Sequence, residues 1–413
     1  MTARVDRSLP TIDEEARVAA ASCRECLDAR FADLDKCLPG APTSAEGWFA
    51  LLSGIPGDRG AMRRFSAMRS AGVDRGRWPP GSIECFAILQ AYLAALPRLA
   101  SLPLDESVKR LYCATSRRID CDDTRLAGYF DYTSDPFSEM AKIATLRRFT
   151  AGQLSFDITT LPRSWMLKVH PLALPGLVTE LITRFGGFGP FAVPHLCYLR
   201  PNPLVILQTE SRLSFWRIAK TLELQPQVKG VMAASWFYSP VVGEHFPHLA
   251  WVRNFFVEQG AYLVEMEIAE AGAGFLIGSA KRRRLYEQGR FRPRQTLVLW
   301  HRAALLDWAA AHPEFGDDAP RTNPAMSEPA MAAPMAGSGR QPATSPERGG
   351  RLAGLGAARL LNARPKTYIL VTLIAPAMLA ALVGWLTAHP WAALPSFVTT
   401  AAVMWLVQYF FLL

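Results

Sequence analysis

The chain has 413 residues, of which 50% are hydrophobic and 20% charged, and its formal net charge is +9. These proportions exclude an intrinsically disordered chain and leave room for two domains with an appendage. The positive charge is concentrated, because Gly278 to Arg294 contributes +6 and Arg340 to Lys366 contributes +5, which leaves −2 for the remainder. A broad nucleic-acid surface needs cations spread over many phosphates, so we expect no nucleic-acid partner.

Residues 1–150 are predicted to form a mainly helical N-terminal region. Apolar residues recur three and four positions apart from Ile12 to Leu38, which predicts an amphipathic helix. Two further helices are predicted to begin at Ser82 and Asp135, because both residue types cap helix N-termini. The stretch 54–82 is basic and rich in glycine and proline, which predicts irregular structure.

Residues 151–315 are predicted to form an α/β domain. Apolar runs at 204–207, 228–238, 261–268 and 295–301 have the length and composition of strands, and helix-like runs alternate with them. Such alternation favours a mixed sheet with crossover helices. A glycine-rich turn at 185–191 is typical of a helix end that leads into a strand.

The C-terminal part is predicted to be a tether followed by a membrane hairpin. Residues 316–350 have the composition of a flexible linker, and 351–366 form a basic juxtamembrane segment. The 47 residues from Thr367 to Leu413 contain no Asp, Glu, Lys or Arg, and His389 and Pro390 divide them into two transmembrane helices. Because the flanking cations precede the first span, residues 1–366 are predicted to be cytoplasmic, with membrane lipids as partners.

The segment "GSAKRRRLYEQGRFRPR", which begins at Gly278, is the first candidate site. Ser279 is a predicted N-cap, so Lys281, Arg282 and Arg283 would fall in the first helical turn. Cations are unfavourable at a helix N-terminus unless an anion binds there. The segment is therefore either an anion-binding site for a phosphate-bearing or acyl-CoA-like ligand, or a solvated or membrane-facing basic face.

The segment "GEHFPH" at 243–248 is the second candidate site. His245 or His248 is a candidate general base that Glu244 would orient. Pro247 breaks the helical spacing that two histidines need to share a metal, so no metal site is predicted. Cys23 and Cys26 form a CxxC pair, but Cys23 lies on the apolar stripe of the first helix. We therefore predict both as small buried side chains.

Two functions from different classes are consistent with these features. The first is a membrane-anchored, transferase-like enzyme of α/β fold, with coenzyme A or another phosphate-bearing ligand as its cofactor. An acetyltransferase-like sheet that binds the coenzyme A diphosphate at a helix N-terminus is one form of it, by analogy of fold alone. The alternative is a non-catalytic interaction or regulatory protein that docks on an acidic partner through its basic helix. No Walker, GxSxG or HExxH motif is present.

Overall fold

A computed structural model describes residues 10–38, 40–55, 59–72, 78, 81–117, 119, 135–196, 207–268 and 279–316. These residues belong to the first of two compact units, Met1–Ser327, and the second unit is Glu328–Leu413. The predicted juxtamembrane segment, the predicted hairpin and all of the linker except Gly316 lie outside the described residues. Within the described residues, no helix combines the length and the apolar character needed to cross a membrane.

Helices make up the described part of the N-terminal region. They are α1 (Ile12–Phe31), α2 (Ala45–Gly54), α3 (Arg59–Gly72), α4 (Ser82–Leu99), α5 (Glu106–Arg117) and α6 (Asp135–Ala144). Helix α1 begins with a capping box in which Glu14 N–H donates to Thr11 Oγ1 and Thr11 N–H donates to Glu14. The apolar stripe from Ile12 to Leu38 is buried, as the spacing predicts.

Two details of this region differ from the sequence prediction. Helix α3 occupies part of the stretch predicted to be irregular, and it buries Ala61, Phe65 and Met68 on one face. Their spacing of four and three is helical, but the surrounding arginines and glycines mask it. In α4 the N-cap is Gly81 rather than Ser82, which is the first helical residue.

The sheet is mixed, as predicted, and contains six strands in the described part of the chain. They are β1 (Phe149–Thr150), β2 (Leu154–Thr159), β3 (Phe191–Leu196), β4 (Gly230–Ser235), β5 (Tyr262–Ile268) and β6 (Arg294–His301). Their order is β1-β2-β3-β4-β6-β5, and all neighbours are antiparallel except β3 and β4. Strands β1, β2 and β3 were not predicted. Of the predicted strand at 204–207, only Leu207 is described, and it caps a helix.

Further helices connect the strands. They are α7 (Arg163–Met166), α8 (Leu174–Thr183), α9 (Gln208–Glu223), α10 (Pro240–His245), α11 (Ala250–Glu258), α12 (Ala280–Glu287) and α13 (Arg302–Ala310). Helix α9 is the crossover between the parallel strands β3 and β4. Short 3₁₀ turns flank α10 at Trp236–Tyr238 and Pro247–Leu249.

The two faces of the sheet pack against different helices. One face shares a continuous apolar core with α9, α11, α13 and the N-terminal helices, and Trp300 is completely buried in it. The opposite face packs on α7 and α8 through Met166, Leu177 and Leu181. The N-terminal helices and the sheet therefore share one core. Separating them would expose apolar surface on both, which is unfavourable in water.

Candidate functional site

The parallel strands β3 and β4 are paired only where they begin. Lys229 N–H donates to Pro190 O over 2.8 Å, and Ala192 pairs with Val231. No later pair joins the two strands, although they continue to Leu196 and Ser235. Their facing edges beyond Ala192 and Val231 thus carry backbone N–H and C=O groups without a partner in the sheet, and buried groups of this kind need one. We call this gap the open end of the parallel pair.

The N-terminus of α9 lies beside this open end. Gln153 Oε1 accepts hydrogen bonds from Leu207 N–H (3.1 Å) and Ser211 Oγ (2.9 Å). Gln153 directly precedes Leu154, which pairs with Leu196 at the end of β3. Leu207 is the N-cap residue of α9, and its side chain makes no capping hydrogen bond. The positive end of the α9 dipole is therefore fixed at the carboxyl end of β3.

Arg212 places a cation in the first turns of α9. Its guanidinium carbon lies 5.7 Å from the centroid of the Phe255 ring, which belongs to α11. Its Nε is buried and has no hydrogen-bond partner among the described residues. A buried donor without an acceptor is costly, and an anionic oxygen would satisfy it.

His195 and Asp157 form a hydrogen-bonded pair on β3 and β2. His195 Nε2 lies 3.0 Å from Asp157 Oδ1. Asp157 pairs in register with Val193, so its side chain shares the face of Val193 and, two residues on, of His195. The His195 side chain is 34% exposed and that of Asp157 is 18% exposed. The imidazole therefore reaches solvent from the half of β3 that pairs with β2 but not with β4.

Buried charges hold Asp157 in place. Arg148 Nη2 donates to Asp157 Oδ2 over 2.9 Å, and Arg148 Nη1 lies 3.8 Å from Glu139 Oε1. Ser155 Oγ donates to the same Glu139 oxygen over 2.6 Å. Because Arg148 engages one carboxylate oxygen, the other remains for His195. An ionised Asp157 accepts the proton of Nε2–H, and Nδ1 is then the basic nitrogen in the neutral form of the imidazole.

The protonation of Asp157 should be visible in the pH dependence of stability. Burial opposes its ionisation, but the hydrogen bond and charge of His195, with Arg148, lower the pKa of Asp157 to about 2. Because the folded pKa lies below its ordinary value of 3.8, this stabilisation is present above about pH 4 and is lost as the pH falls towards 2. The shift corresponds to about 2 kcal/mol.

We therefore expect Asp157→Asn to have a lower free energy of unfolding than wild type at pH 6. The difference between the two free energies should shrink as the pH falls from 4 to 2, because wild type then loses this stabilisation. Urea unfolding at several pH values measures this difference. A difference that stays constant across that range would contradict the charged state assigned to Asp157.

The predicted anion-binding residues lie on α12 and its cap. Ser279 is the N-cap, as predicted, and its Oγ accepts from Arg282 N–H over 3.2 Å. The Arg282 guanidinium lies over the Trp236 ring at 5.3 Å, and Lys281 Nζ lies 5.1 Å from the Phe246 ring centroid. Arg283 is exposed. The assignment of these four residues to an anion stays a prediction.

The predicted catalytic histidines lie next to the same helix. A small cluster formed by Val242, Phe246, Leu285 and Phe291 packs α10 against α12, so the two candidate segments do come together. The His245 ring lies 5.9 Å from Phe291, while His248 and Glu244 are exposed. Within the described residues no hydrogen bond joins Glu244 to either histidine. Their catalytic assignment also stays a prediction.

The cysteine prediction is correct for one residue of the CxxC pair. Cys23 is buried with a free thiol, and burial raises its pKa to about 11. Cys26 is instead disulfide-bonded and partly exposed, so the prediction that it is a small buried apolar side chain is wrong. Among the described residues, no group of three or more His, Cys, Asp or Glu is arranged to hold a metal ion.

Comparisons with known proteins give a similarity of fold at a low level. No family model matches the chain, and no curated protein matches it. Two solved structures that resemble it are of an acyltransferase, one in complex with decanoyl-CoA and teicoplanin and one with decanoyl-CoA. Each is 13% identical; the TM-scores are 0.35 and 0.36, and the alignments cover 70% and 69% of this chain and 98% and 99% of theirs. Such a similarity says nothing about what this chain binds.

Proposed function

We propose that the chain is an acyltransferase that binds an acyl-CoA at the open end of the parallel pair and transfers the acyl group to an acceptor amine or hydroxyl. The observation that carries the proposal is the single pairing between β3 and β4. In open α/β sheets, ligands bind outside the carboxyl ends of the strands, where the topology changes direction. The β3–β4 junction, with α9 as its crossover, is such a place.

The shape of coenzyme A fits the open end. Its pantetheine arm is thin, extended and carries two amide groups. Such an arm can hydrogen-bond to backbone groups that β3 and β4 do not pair with each other beyond Ala192 and Val231, as an added strand would. The thioester at its tip would then lie within the sheet junction, towards His195.

The other end of coenzyme A carries a diphosphate, and α9 supplies its binding groups. The N-terminal amides of a helix bind phosphate oxygens, because they are free donors at the positive end of the helix dipole. Arg212 adds a charge and a buried donor at the same place. The start of α9 lies at the carboxyl end of β3, and Arg212 follows within the first turns of the same helix.

His195 is the proposed general base. Its Nδ1 takes the proton of the acceptor amine or hydroxyl as the nucleophile attacks the thioester carbonyl carbon. The carbon–sulfur bond then breaks, and coenzyme A leaves as a thiolate that takes up a proton. Asp157 positions the imidazole and stabilises the imidazolium that forms.

The membrane anchor is part of the proposal. It is supported by the 47-residue charge-free sequence from Thr367 to Leu413 and by the basic segment 351–366 before it. On this basis the body acts on the cytoplasmic side of a membrane.

Ligand-dependent stability of the full chain in detergent micelles tests the proposal. An acyl-CoA at about a hundred times its dissociation constant should raise the free energy of unfolding by about 2.7 kcal/mol. Acetyl-CoA and longer acyl-CoAs are the ligands, and ADP and inorganic phosphate are the controls. If no coenzyme A thioester shifts the melting temperature, the proposal is wrong.

Arg212→Ala should weaken acyl-CoA binding selectively. Loss of a charge-assisted hydrogen bond costs about 1.5–3 kcal/mol, which corresponds to roughly 10- to 100-fold in Kd. Lys220→Ala is the matched control, because it removes the same charge from the other end of α9, where Lys220 pairs with Glu223. Isothermal titration gives both constants. Equal Kd values for the two variants would show that Arg212 does not contribute to acyl-CoA binding.

A further inference from the structure

The segment from Ser279 to Arg294 presents a group of cations to solvent. We call these side chains the basic surface: Lys281, Arg283, Arg284, Arg290 and Arg292, all exposed. None of the five forms an ion pair with another described residue, whereas the neighbouring Arg294 Nε lies 3.4 Å from Glu265 Oε2. Glu287 is the one acidic residue from Ser279 to Arg294, so the exposed cations leave a net local positive potential.

Aromatic rings lie close to two of these five cations. Lys281 Nζ is 5.1 Å from the Phe246 ring centroid, and the guanidinium of Arg292 is 3.9 Å from that of Tyr286. Arg282, which follows Lys281 in α12, lies over Trp236, which is partly exposed. Cations together with Trp and Tyr at a surface are typical of protein segments that rest in the headgroup region of a bilayer.

The basic surface lies at the same end of the sheet as the open end of the parallel pair. Arg294 N–H donates to Ser239 Oγ over 3.2 Å, just after β4 ends. Thr296 near the start of β6 pairs with Ser235, the last residue of β4. Helix α12 packs on α10, which follows the same end of β4.

We infer that the basic surface docks on the anionic headgroups of a membrane. The opposite charges are complementary, and anionic leaflets attract clustered Lys and Arg. The same chain carries a charge-free stretch long enough to cross a bilayer, with a second basic segment before it. A site for a small soluble anion would enclose its cations in a concave pocket, whereas these five are exposed. This inference goes beyond the proposed function and does not require acyl transfer.

Amide hydrogen exchange of the full chain in lipid nanodiscs tests the inference. One set of discs contains phosphatidylcholine alone, and the other contains phosphatidylcholine and phosphatidylglycerol in equal parts. We expect peptides from 236–249 and 280–292 to exchange several-fold more slowly in the anionic discs. High salt should abolish the difference, because it screens exposed charges.

Two matched triple variants separate the basic surface from general charge. The test variant is Lys281→Gln with Arg283→Gln and Arg284→Gln. The control variant is Arg17→Gln with Arg24→Gln and Arg63→Gln, three exposed cations of the N-terminal helices. We expect the test variant to lose the protection in anionic discs and the control variant to keep it. Melting temperatures within a few degrees of wild type exclude unfolding as the cause.

Three results would overturn the inference. Exchange that is equal in the two kinds of disc would show that the surface does not meet anionic lipid. Protection that survives in the test variant would place the contact elsewhere. Protection in neutral discs on addition of inorganic phosphate would identify the surface as a site for a soluble anion instead.

Discussion

His195→Gln is expected to lower kcat for acyl transfer by roughly 10²- to 10⁴-fold, the range typical of a lost general base. Glutamine can still hydrogen-bond to Asp157, but it cannot accept the proton of the nucleophile. In the proposed complex the backbone edges and α9 hold acyl-CoA, so its Kd should remain near that of wild type. Steady-state kinetics, with Kd from isothermal titration, measures the two quantities separately.

One control variant and two variants of Asp157 accompany this prediction. His170→Gln changes an exposed histidine in the loop between α7 and α8 and should leave kcat unchanged. Asp157→Asn should lower kcat and alter its pH profile, because asparagine no longer fixes the tautomer of His195, and Asp157→Glu should restore part of the activity. A His195→Gln variant with the kcat of wild type would exclude His195 as the base.

Gly230→Ala is expected to lower the free energy of unfolding by more than about 4 kcal/mol, which is exceptional for one substitution. A Cβ at Gly230 would lie 2.1 Å from Trp300 O and 2.9 Å from Arg302 N, and its φ of +148° disfavours any side chain. Gly230 pairs with His301 of β6, and the preceding Lys229 donates to Pro190 O and accepts from Arg302 N–H, so the backbone is held on both sides. Thermal unfolding of the full chain in detergent measures the loss.

Gly260→Ala is the matched control for this prediction. Gly260 also has a positive φ, +68°, but nothing lies within 4 Å of an added Cβ. We expect a loss of about 1–2 kcal/mol from backbone strain alone. If the two variants lose the same stability, close packing around Gly230 is not what requires glycine there.

The sequence predicts the later strands of the sheet, β4 to β6, better than the earlier strands, β1 to β3. Strands β4 and β6 coincide with apolar runs that have the length of strands and are followed by helix-like runs, and the structure confirms both strands. The sequence pattern does not predict strand β3, because Pro194 interrupts it and glycines precede it. Proline and glycine are both more typical of loops. Helix α3 was missed because its apolar residues are sparse among arginines.

The candidate site was harder to predict than the fold. His195 and Asp157 are 38 residues apart and meet only because β2 and β3 pair in one particular register. A shift of one residue would place the two side chains on opposite faces, and the sequence alone does not specify register. One signal in the sequence points to this site. Ser155 and Asp157 are polar residues two positions apart, so they lie on one face of a short apolar strand.

The gap between β3 and β4 also bears on aggregation. Unpaired strand edges are templates for other chains, and proteins usually protect them at the borders of a sheet with charge, proline or a covering helix. Here the edges without a pairing partner lie in the middle of the sheet, where β3 also pairs with β2 and β4 also pairs with β6. A foreign strand would have to enter between two strands that are each already paired along their other edge, whereas an edge at the border of a sheet is open to approach. The central position thus lets the protein keep two open edges without becoming a seed for cross-β assembly.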